Sequence, residues 1–357
     1  MATLCGVRLR MAKMTRNRAV LTIIGVTGGS GAGKGELCRI LSAFGVEIID
    51  ADKVAHGVIM PGKPAYREVV NAFGSGILGP KGEIDRKRLG AIVFGNKTSL
   101  ALLSKIVHKY VCQACEEIFN NTTTPVVAVD AAALTEGGMT GLCDLVVGVF
   151  ANKQTRIDRI MARDSISREA AESRITSQMS DDELKTHVDI AIENNGSTDE
   201  LARLAAEKIV IIQAMAADDI PGAYALELEA YPDDPSPIEW YKDGTTNPDA
   251  YYFAAFCEGK QVGNCGMYHI KSILPNFCKI GTLTVKTDFR GRGIGGGLIK
   301  KMLSTAEKLG LKRTKLEVDT KNFGAIQLYK TFGFQIEELK ENFYGDGEDA
   351  YIMWRSS

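Results

Sequence analysis

Residues 21–39 read LTIIGVTGGSGAGKGELCR. An apolar, β-branched run, Leu21 to Val26, breaks into a loop containing Gly28, Gly29, Gly31 and Gly33. Lys34 follows, and then a helical pattern carrying Leu37, Ile40 and Leu41. Strand, glycine loop, lysine and helix is the order of a P-loop. The glycines let backbone N–H groups approach phosphate oxygens with no Cβ in the way. The helix N-terminus adds its dipole, and Lys34 adds a point charge for the β- and γ-phosphates. One position departs from the pattern. The residue after the lysine, usually a Ser or Thr whose hydroxyl holds Mg²⁺, is Gly35. Backbone and Lys34 still bind phosphate, but a metal ion needs water or another ligand at that place. The departure therefore bears on turnover more than on binding.

Downstream, Val46 to Asp52 (VEIIDAD) reads as a second strand that ends in Asp50 and Asp52. In an extended chain these two acids share a face, and they lie at a strand's carboxyl end, where open α/β sheets bind ligands. One suits a general base on a substrate hydroxyl, the other a hydrogen-bond or metal-water partner; a solvated strand-end turn is the alternative. Asp85, Arg86, Lys87 and Arg88 form a charged group before a helix, either a solvated face or a phosphate or carboxylate contact. Buried-type strands are expected at 125–130, 144–150 and 188–192, with helices through 99–119 and from 198 to about 207. Arg156, Arg159 and Arg163 fall on one helical face; they are either stabilisers of a transferring phosphoryl group or a surface ion-pair helix. Strands alternating with helices predict a parallel sheet with helices on both faces.

Composition sets the outer limits. A chain of 357 residues is long enough for two domains with separate cores. Its net charge of -1 gives no global field for nucleic acid or an anionic membrane. No apolar run approaches the ~20 residues of a membrane-spanning helix. The first twenty residues are basic (Arg8, Arg10, Lys13, Arg16, Arg18) and lack an apolar signal pattern, so they read as a flexible extension. The eight cysteines are scattered, several within apolar patterns, and Cys112 and Cys115 form a lone C-x-x-C. Reduced, buried cysteines in a cytoplasmic protein are the expectation.

In the second half, a short strand at 209–213 precedes DDIPGAYALELEAY, a capped helix, and then a proline- and acid-rich loop (YPDDPSP, then DGTTNPD). Residues 251–257 and 261–269 read as two strands of a hairpin joined by Glu258-Gly259-Lys260, with a third strand at 280–285. Arg290-Gly-Arg-Gly-Ile-Gly-Gly-Gly297 opens a helix that continues through Leu298, Ile299, Met302 and Leu303. This is a second set of glycines at a helix N-terminus. It is neither a P-loop, because no G-K-[ST] closes it, nor a dinucleotide fingerprint, because no ribose-binding acid follows at the usual spacing.

Two resemblances follow from these residues. TGGSGAGKG, IIDADKVAH, GEIDRKRLGAIVF, the arginine run after Gln154 and IENNG resemble dephospho-CoA kinases, in order and at similar spacing, over about 22–207. The resemblance implies transfer of the ATP γ-phosphoryl, with Mg²⁺, to the ribose 3′-hydroxyl of dephospho-CoA. It places ATP at Gly29, Gly31, Ala32, Gly33, Lys34, Gly35 and Glu36, with Lys34 catalytic. It makes Asp52 the base and Arg163 a lid arginine, and it gives Asp50, Asp85 and Arg86 to dephospho-CoA. Asp130-Ala-Ala-Ala-Leu134 stands where the family has D-x-P-L-L, and His108-Lys109 where it has His-Pro.

TVKTDFRGRGIGGGL followed by KLEVDTKNFGAIQLYKTFGF is similar to the GNAT acetyltransferases, over about 209–354, and within them to ribosomal-protein alanine N-acetyltransferases. That resemblance implies acetyl-CoA bound by Leu283, Thr284, Val285, Arg290, Gly291, Arg292, Gly293, Ile294, Gly295, Gly296 and Asn322. Acetyl transfer to an amine needs a base for the amine proton and an acid for the leaving thiolate. The motif places Glu317 as base and Tyr329 as acid; an exposed strand carboxylate and a packed aromatic are the structural alternatives. The acceptor expected is a protein N-terminus or a small amine, and an acidic loop would suit a basic peptide or polyamine. The organisation expected is a basic extension (1–20), a P-loop α/β kinase domain with a parallel sheet (21–207) and an α+β GNAT domain (208–357). The alternative keeps the first domain as a nucleotide- or CoA-binding module without turnover.

Overall fold

A computed structural model describes residues 20–271, 275–345 and 347–356; the basic extension lies outside them apart from Val20. Two compact units emerge among the described residues. One spans Ile23–Ala205; the other runs from Ala206 onward and takes in residues 20–22.

The first unit is built on five parallel strands: β1 (Thr22–Thr27), β2 (Glu47–Asp50), β3 (Val126–Asp130), β4 (Leu145–Phe150) and β5 (Ile190–Glu193). Their order is β2-β3-β1-β4-β5. Every residue of β1 is buried, as its unbroken apolar and β-branched run requires of a central strand. Because the strands are parallel, the carboxyl ends of β1, β2, β3 and β4 share one edge. The chain reverses direction across the sheet on either side of β1, so the loop after β1 opens at a switch point. The helices are α1 (Lys34–Ala43), α2 (Ala51–Val58), α3 (Pro64–Phe73), α4 (Arg86–Val93), α5 (Lys97–Asn121), α6 (Lys153–Asp164), α7 (Arg168–Thr176), α8 (Asp181–Lys185) and α9 (Thr198–Lys208).

The second strand is shorter than the sequence suggests. It stops at Asp50, whose carboxylate accepts the Lys53 N–H at 3.0 Å and caps α2. Capping wins over extension because Asp at an N-cap satisfies a donor the helix cannot. Asp52 therefore sits in the first turn of α2, and the two acids do not share a strand face.

The second unit is a seven-stranded sheet in the order β11-β12-β10-β9-β8-β7-β6. The strands are β6 (Ile211–Ala214), β7 (Ala250–Cys257), β8 (Lys260–Ile270), β9 (Phe277–Val285), β10 (Arg313–Asp319), β11 (Gln335–Gly345) and β12 (Glu348–Ser356), with helices α10 (Ile220–Ala230), α11 (Ile238–Thr246), α12 (Ile294–Lys308) and α13 (Phe323–Thr331). The β7–β8 turn is Glu258-Gly259, with φ of 50° and 73°. Positive φ at both positions is what a two-residue hairpin turn requires, so Lys260 already belongs to β8. The DGTT stretch, expected to be loop, is the end of α11. Gly244 is needed there because the Tyr252 ring occupies the place of a Cβ. A core of α12 and α13 side chains (Leu298, Met302, Ile326) against Leu316 and Val318 covers one sheet face.

Candidate active sites

The glycine loop of the first unit is held from behind. Arg156 on α6 is only 5% exposed. Its Nε donates to Ser30 O at 2.9 Å and its Nη1 to Asp181 at 2.8 Å. Gln178 Oε1 accepts the Ser30 N–H at 2.8 Å and faces Arg156 Nη2 at 3.4 Å. Arg159 Nη1 donates to Asn194 O at 3.0 Å, and the buried Asn194 donates to Ala32 O at 2.8 Å. A Cβ on Gly29 would strike the Arg156 guanidinium, and one on Gly31, where φ is 77°, would lie 2.6 Å from Arg156 O. The glycines thus answer to packing against α6 as well as to phosphate access.

The arginine row divides. Arg156 and Arg159 brace the loop, whereas Arg163 makes a two-point contact with Asp164, both distances 2.8 Å. That pairing holds the Asp164 carboxyl down to about 2. Arg163 stands in the last turn of α6, where Ser165 turns the chain with φ of 52°, and the structure brings it to its neighbour rather than to the loop. Arg156→Ala is expected to lower stability by about 1–3 kcal/mol, because it removes a buried guanidinium and leaves Ser30 O and the partly exposed Asp181 without their donor. A urea titration of the full chain measures this, and an unchanged midpoint would show that the brace carries no load.

At the sheet edge, Lys34 pairs with Asp130, the last residue of β3. Cys38 lies one turn further along α1; burial, with Asp130 beside it, pushes its thiol up to about 12. Asp130 escaped the site reading because its partnership depends on β3 lying next to β1, which sequence spacing does not reveal. Glu36 pairs with Arg39 on the helix surface. Asp85 caps α4, accepting N–H bonds from Lys87 at 2.9 Å and Arg88 at 3.2 Å, while Arg86 is exposed. At Gly35 a Cβ would meet nothing within 4 Å.

In the second unit, β9 and β10 run parallel and pair as Thr314 with Cys278 and Lys315 with Lys279. Beyond these pairs β10 continues against β12 and β9 against β8, and the two strands part. A bulge in the β8–β9 register, with Gly266 opposite Thr282 and Met267 opposite Ile280, bends β9 at Gly281. Leu283 and Val285 turn into the core beside α12. The buried Thr284 donates to Glu227 at 3.3 Å, so the backbone is what these three residues present. α12 begins from Gly293, φ 78°. Side-chain space is open at Gly291 and Gly293, whereas Gly295 and Gly296 lie against Leu328 and Phe332 of the α13 region. Arg290 Nε donates to Val285 O at 3.1 Å, and Arg292 lies over the Phe289 ring at 4.7 Å. Asn322 caps α13, its Oδ1 accepting the Ala325 N–H at 3.1 Å.

Glu317 lies on the β10 face opposite the core. Its carboxylate meets Lys279 at 3.3 Å and Lys315 at 3.1 Å, and its side chain is 10% exposed. Tyr329 comes from α13 on the helical side, its ring edge-on to Phe334 with centroids 5.8 Å apart. Burial raises the Tyr329 hydroxyl well above its ordinary range, and Tyr231, Tyr344 and Cys265 add to the rise electrostatically. Burial, then Glu317, pushes Tyr344 up to about 12. The two motif residues come from opposite faces of the sheet, and Tyr344 interacts electrostatically with each of them. Neither Tyr231 nor Tyr344 was legible as a site residue; Tyr231 stands at the end of α10 and Tyr344 in the β11–β12 hairpin, more than one hundred positions apart in the chain.

A glycine cradle with a lysine–aspartate pair at the edge of a parallel sheet defines a P-loop phosphotransferase. Residues 22–200 match the family described as dephospho-CoA kinase, and the chain belongs to that family. Residues 215–334 match the acetyltransferase (GNAT) family, so a kinase and an N-acetyltransferase are joined in one chain. Among similar proteins, the dephospho-CoA kinase of Geobacter sulfurreducens is 40% identical over 51% of this chain and 94% of its own length. That of Carboxydothermus hydrogenoformans is 40% identical over 50% of this chain and 88% of its own. The crystal structure of the ribosomal-protein-S18-alanine N-acetyltransferase from Escherichia coli aligns at 26% identity over 42% of this chain and 94% of its own, with a TM-score of 0.37. Among the described residues no helix is long and apolar enough to cross a membrane.

Proposed function

We propose that the chain makes CoA from dephospho-CoA and, separately, transfers the acetyl group of acetyl-CoA to an amine. The observation that carries the first half is the braced loop with Lys34 at the edge where β1, β2 and β3 end. The loop amides hold the ATP phosphates, and Lys34 leaves Asp130 to stabilise charge on the transferring phosphoryl. Asp52, in the first turn of α2 at that edge, takes the proton of the ribose 3′-hydroxyl. Asp50, Asp85 and Arg86 remain the candidates for dephospho-CoA. Arg163 serves as a lid arginine only by exchanging Asp164 for phosphate. Mg²⁺, when bound, would call on one or two carboxylates of the chain alongside the substrate phosphates. Asp130, freed when Lys34 turns to nucleotide, fits that role beside the hydroxyl-free Gly35. The ion's chemistry is neutralisation of the phosphates.

The second half rests on the parted strands. The β9 backbone and the α12 N-terminus receive acetyl-CoA, Glu317 accepts the amine proton, and Tyr329 donates one to the leaving thiolate. A tyrosine hydroxyl is protonated at neutral pH, the state a donor needs, and burial shifts Tyr329 further in that direction.

The deciding assay follows CoA formed from ATP, Mg²⁺ and dephospho-CoA, with Gly35→Ser alongside. Wild type is expected to turn over. The open space at residue 35 admits the serine, so the variant is expected to fold and to match or exceed the wild-type rate. CoA formation by the variant alone would show that the natural unit binds without turnover.

A further inference from the structure

Along β10 the side chains on the face opposite the core run Arg313, Lys315, Glu317, Asp319: two cations, then two anions. Arg313 is engaged over the Trp354 ring at 4.1 Å and with Glu337 at 3.4 Å. Asp319 accepts the Lys321 N–H at 2.8 Å and shares electrostatic contact with Tyr231 and Tyr344. Between them, Glu317 holds one lysine on each oxygen, Lys315 from its own strand and Lys279 from β9. Two ammonium groups face one carboxylate, and each keeps further N–H donors. The side chains of Lys279 and Lys315 are 38% and 25% exposed. The gap therefore has an anionic end by the tyrosines and a cationic end where the strands close.

That polarity argues against a polyamine. An amine with an ordinary pKa of ~10.4 is almost wholly protonated at neutral pH, while an α-amine near ~7.7–8.0 is neutral in roughly a tenth to a sixth of molecules. A second positive charge on the acceptor would meet Lys279 and Lys315 at close range. Asp233 and Asp234 of the α10–α11 loop are exposed, and exposed charges are screened by salt more than partly buried ones such as the Glu317 cluster.

We propose that Lys279 and Lys315 seat a carboxylate of the acetyl acceptor, and that the preferred acceptor is a peptide α-amine with an acidic residue in its second position. The inference rests on the reading of Glu317 and the parted strands as the acetyl-transfer site. The amine lies at Glu317 among the tyrosines. The acidic side chain reaches back to the lysines, which already stand at a carboxylate.

The test uses the full chain, acetyl-CoA and three peptides alike except for a second residue of Asp, Ala or Lys, with spermidine as a fourth acceptor. The Asp peptide is expected to lead the Ala peptide by about 10- to 100-fold in kcat/KM, the range of a charge-assisted hydrogen bond. In Lys279→Met/Lys315→Met the ratio is expected to fall to near one. Lys315→Gln, which leaves Lys279 on Glu317, is expected to lower it partway should the double variant fail to fold. Peptides acetylated without preference for Asp, or a ratio unmoved in the variants, would overturn the lysine seat while leaving the acetyltransferase reading intact. Spermidine outrunning every peptide would also overturn it. Acetylation of none of the four would overturn both readings.

Discussion

Lys34→Ala is expected to reduce CoA formation by at least about 10²- to 10³-fold, the usual loss when a stabiliser of transition-state charge is removed. Lys34 is the cation that the loop itself supplies at the β1 edge; Arg156 and Arg159 have their guanidinium groups committed behind the loop. The substitution also removes the partner that holds Asp130 in place at the sheet edge before nucleotide binds. Both effects act in one direction. Lys34→Arg keeps the charge but replaces a compact ammonium with a planar fork, and should recover only part of the rate. CoA formation by Lys34→Ala at the wild-type rate would remove the P-loop from the chemistry altogether.

The second large effect is expected at Tyr329. Tyr329→Phe keeps the ring against Phe334 and removes only the hydroxyl, so the fold should be unaffected. Loss of a general acid commonly lowers the rate by about 10²-fold or more. The effect should appear in kcat with little change in the KM for acetyl-CoA, because the hydroxyl acts on the leaving sulfur and not on the pyrophosphate. A normal rate would transfer the proton donation to Tyr231 or Tyr344, the two hydroxyls in electrostatic contact with it. Tyr344→Phe then separates those two.

What was legible in the sequence followed the range of the interactions. The P-loop, the β7–β8 hairpin and the glycines before α12 are local. Their backbone demands are met by residues a few positions apart, so the pattern can be read directly. The arginines of α6 were read as one set, either phosphoryl stabilisers or a surface ion-pair row, whereas the structure splits them; the destination of Arg156 is Ser30, 126 positions away, and only the order of the strands brings them together. Asp130 was quoted as a family departure and not as a partner of Lys34, for the same reason. Asp50 and Asp52 illustrate a competition: an extended reading put both on one face, but capping of α2 by Asp50 turned the chain two residues earlier. α11 was hidden by Gly244, a poor helix former whose value lies in the room it leaves for Tyr252. Glu317 was visible as a motif carboxylate, whereas the two lysines on it come from different strands and appear only with the sheet.

The brace behind the glycine loop also decides when the loop's disorder is lost. Glycine-rich segments have many conformations to give up, and a loop that orders only on meeting ATP would charge that loss to the binding equilibrium. Here Arg156, Gln178 and Asn194 hold Ser30 and Ala32 through contacts that the chain supplies itself. The ordering entropy is thus assigned to folding. ATP meets a receptor already in shape, and its association should carry the small entropic penalty and quick on-rate of a rigid host.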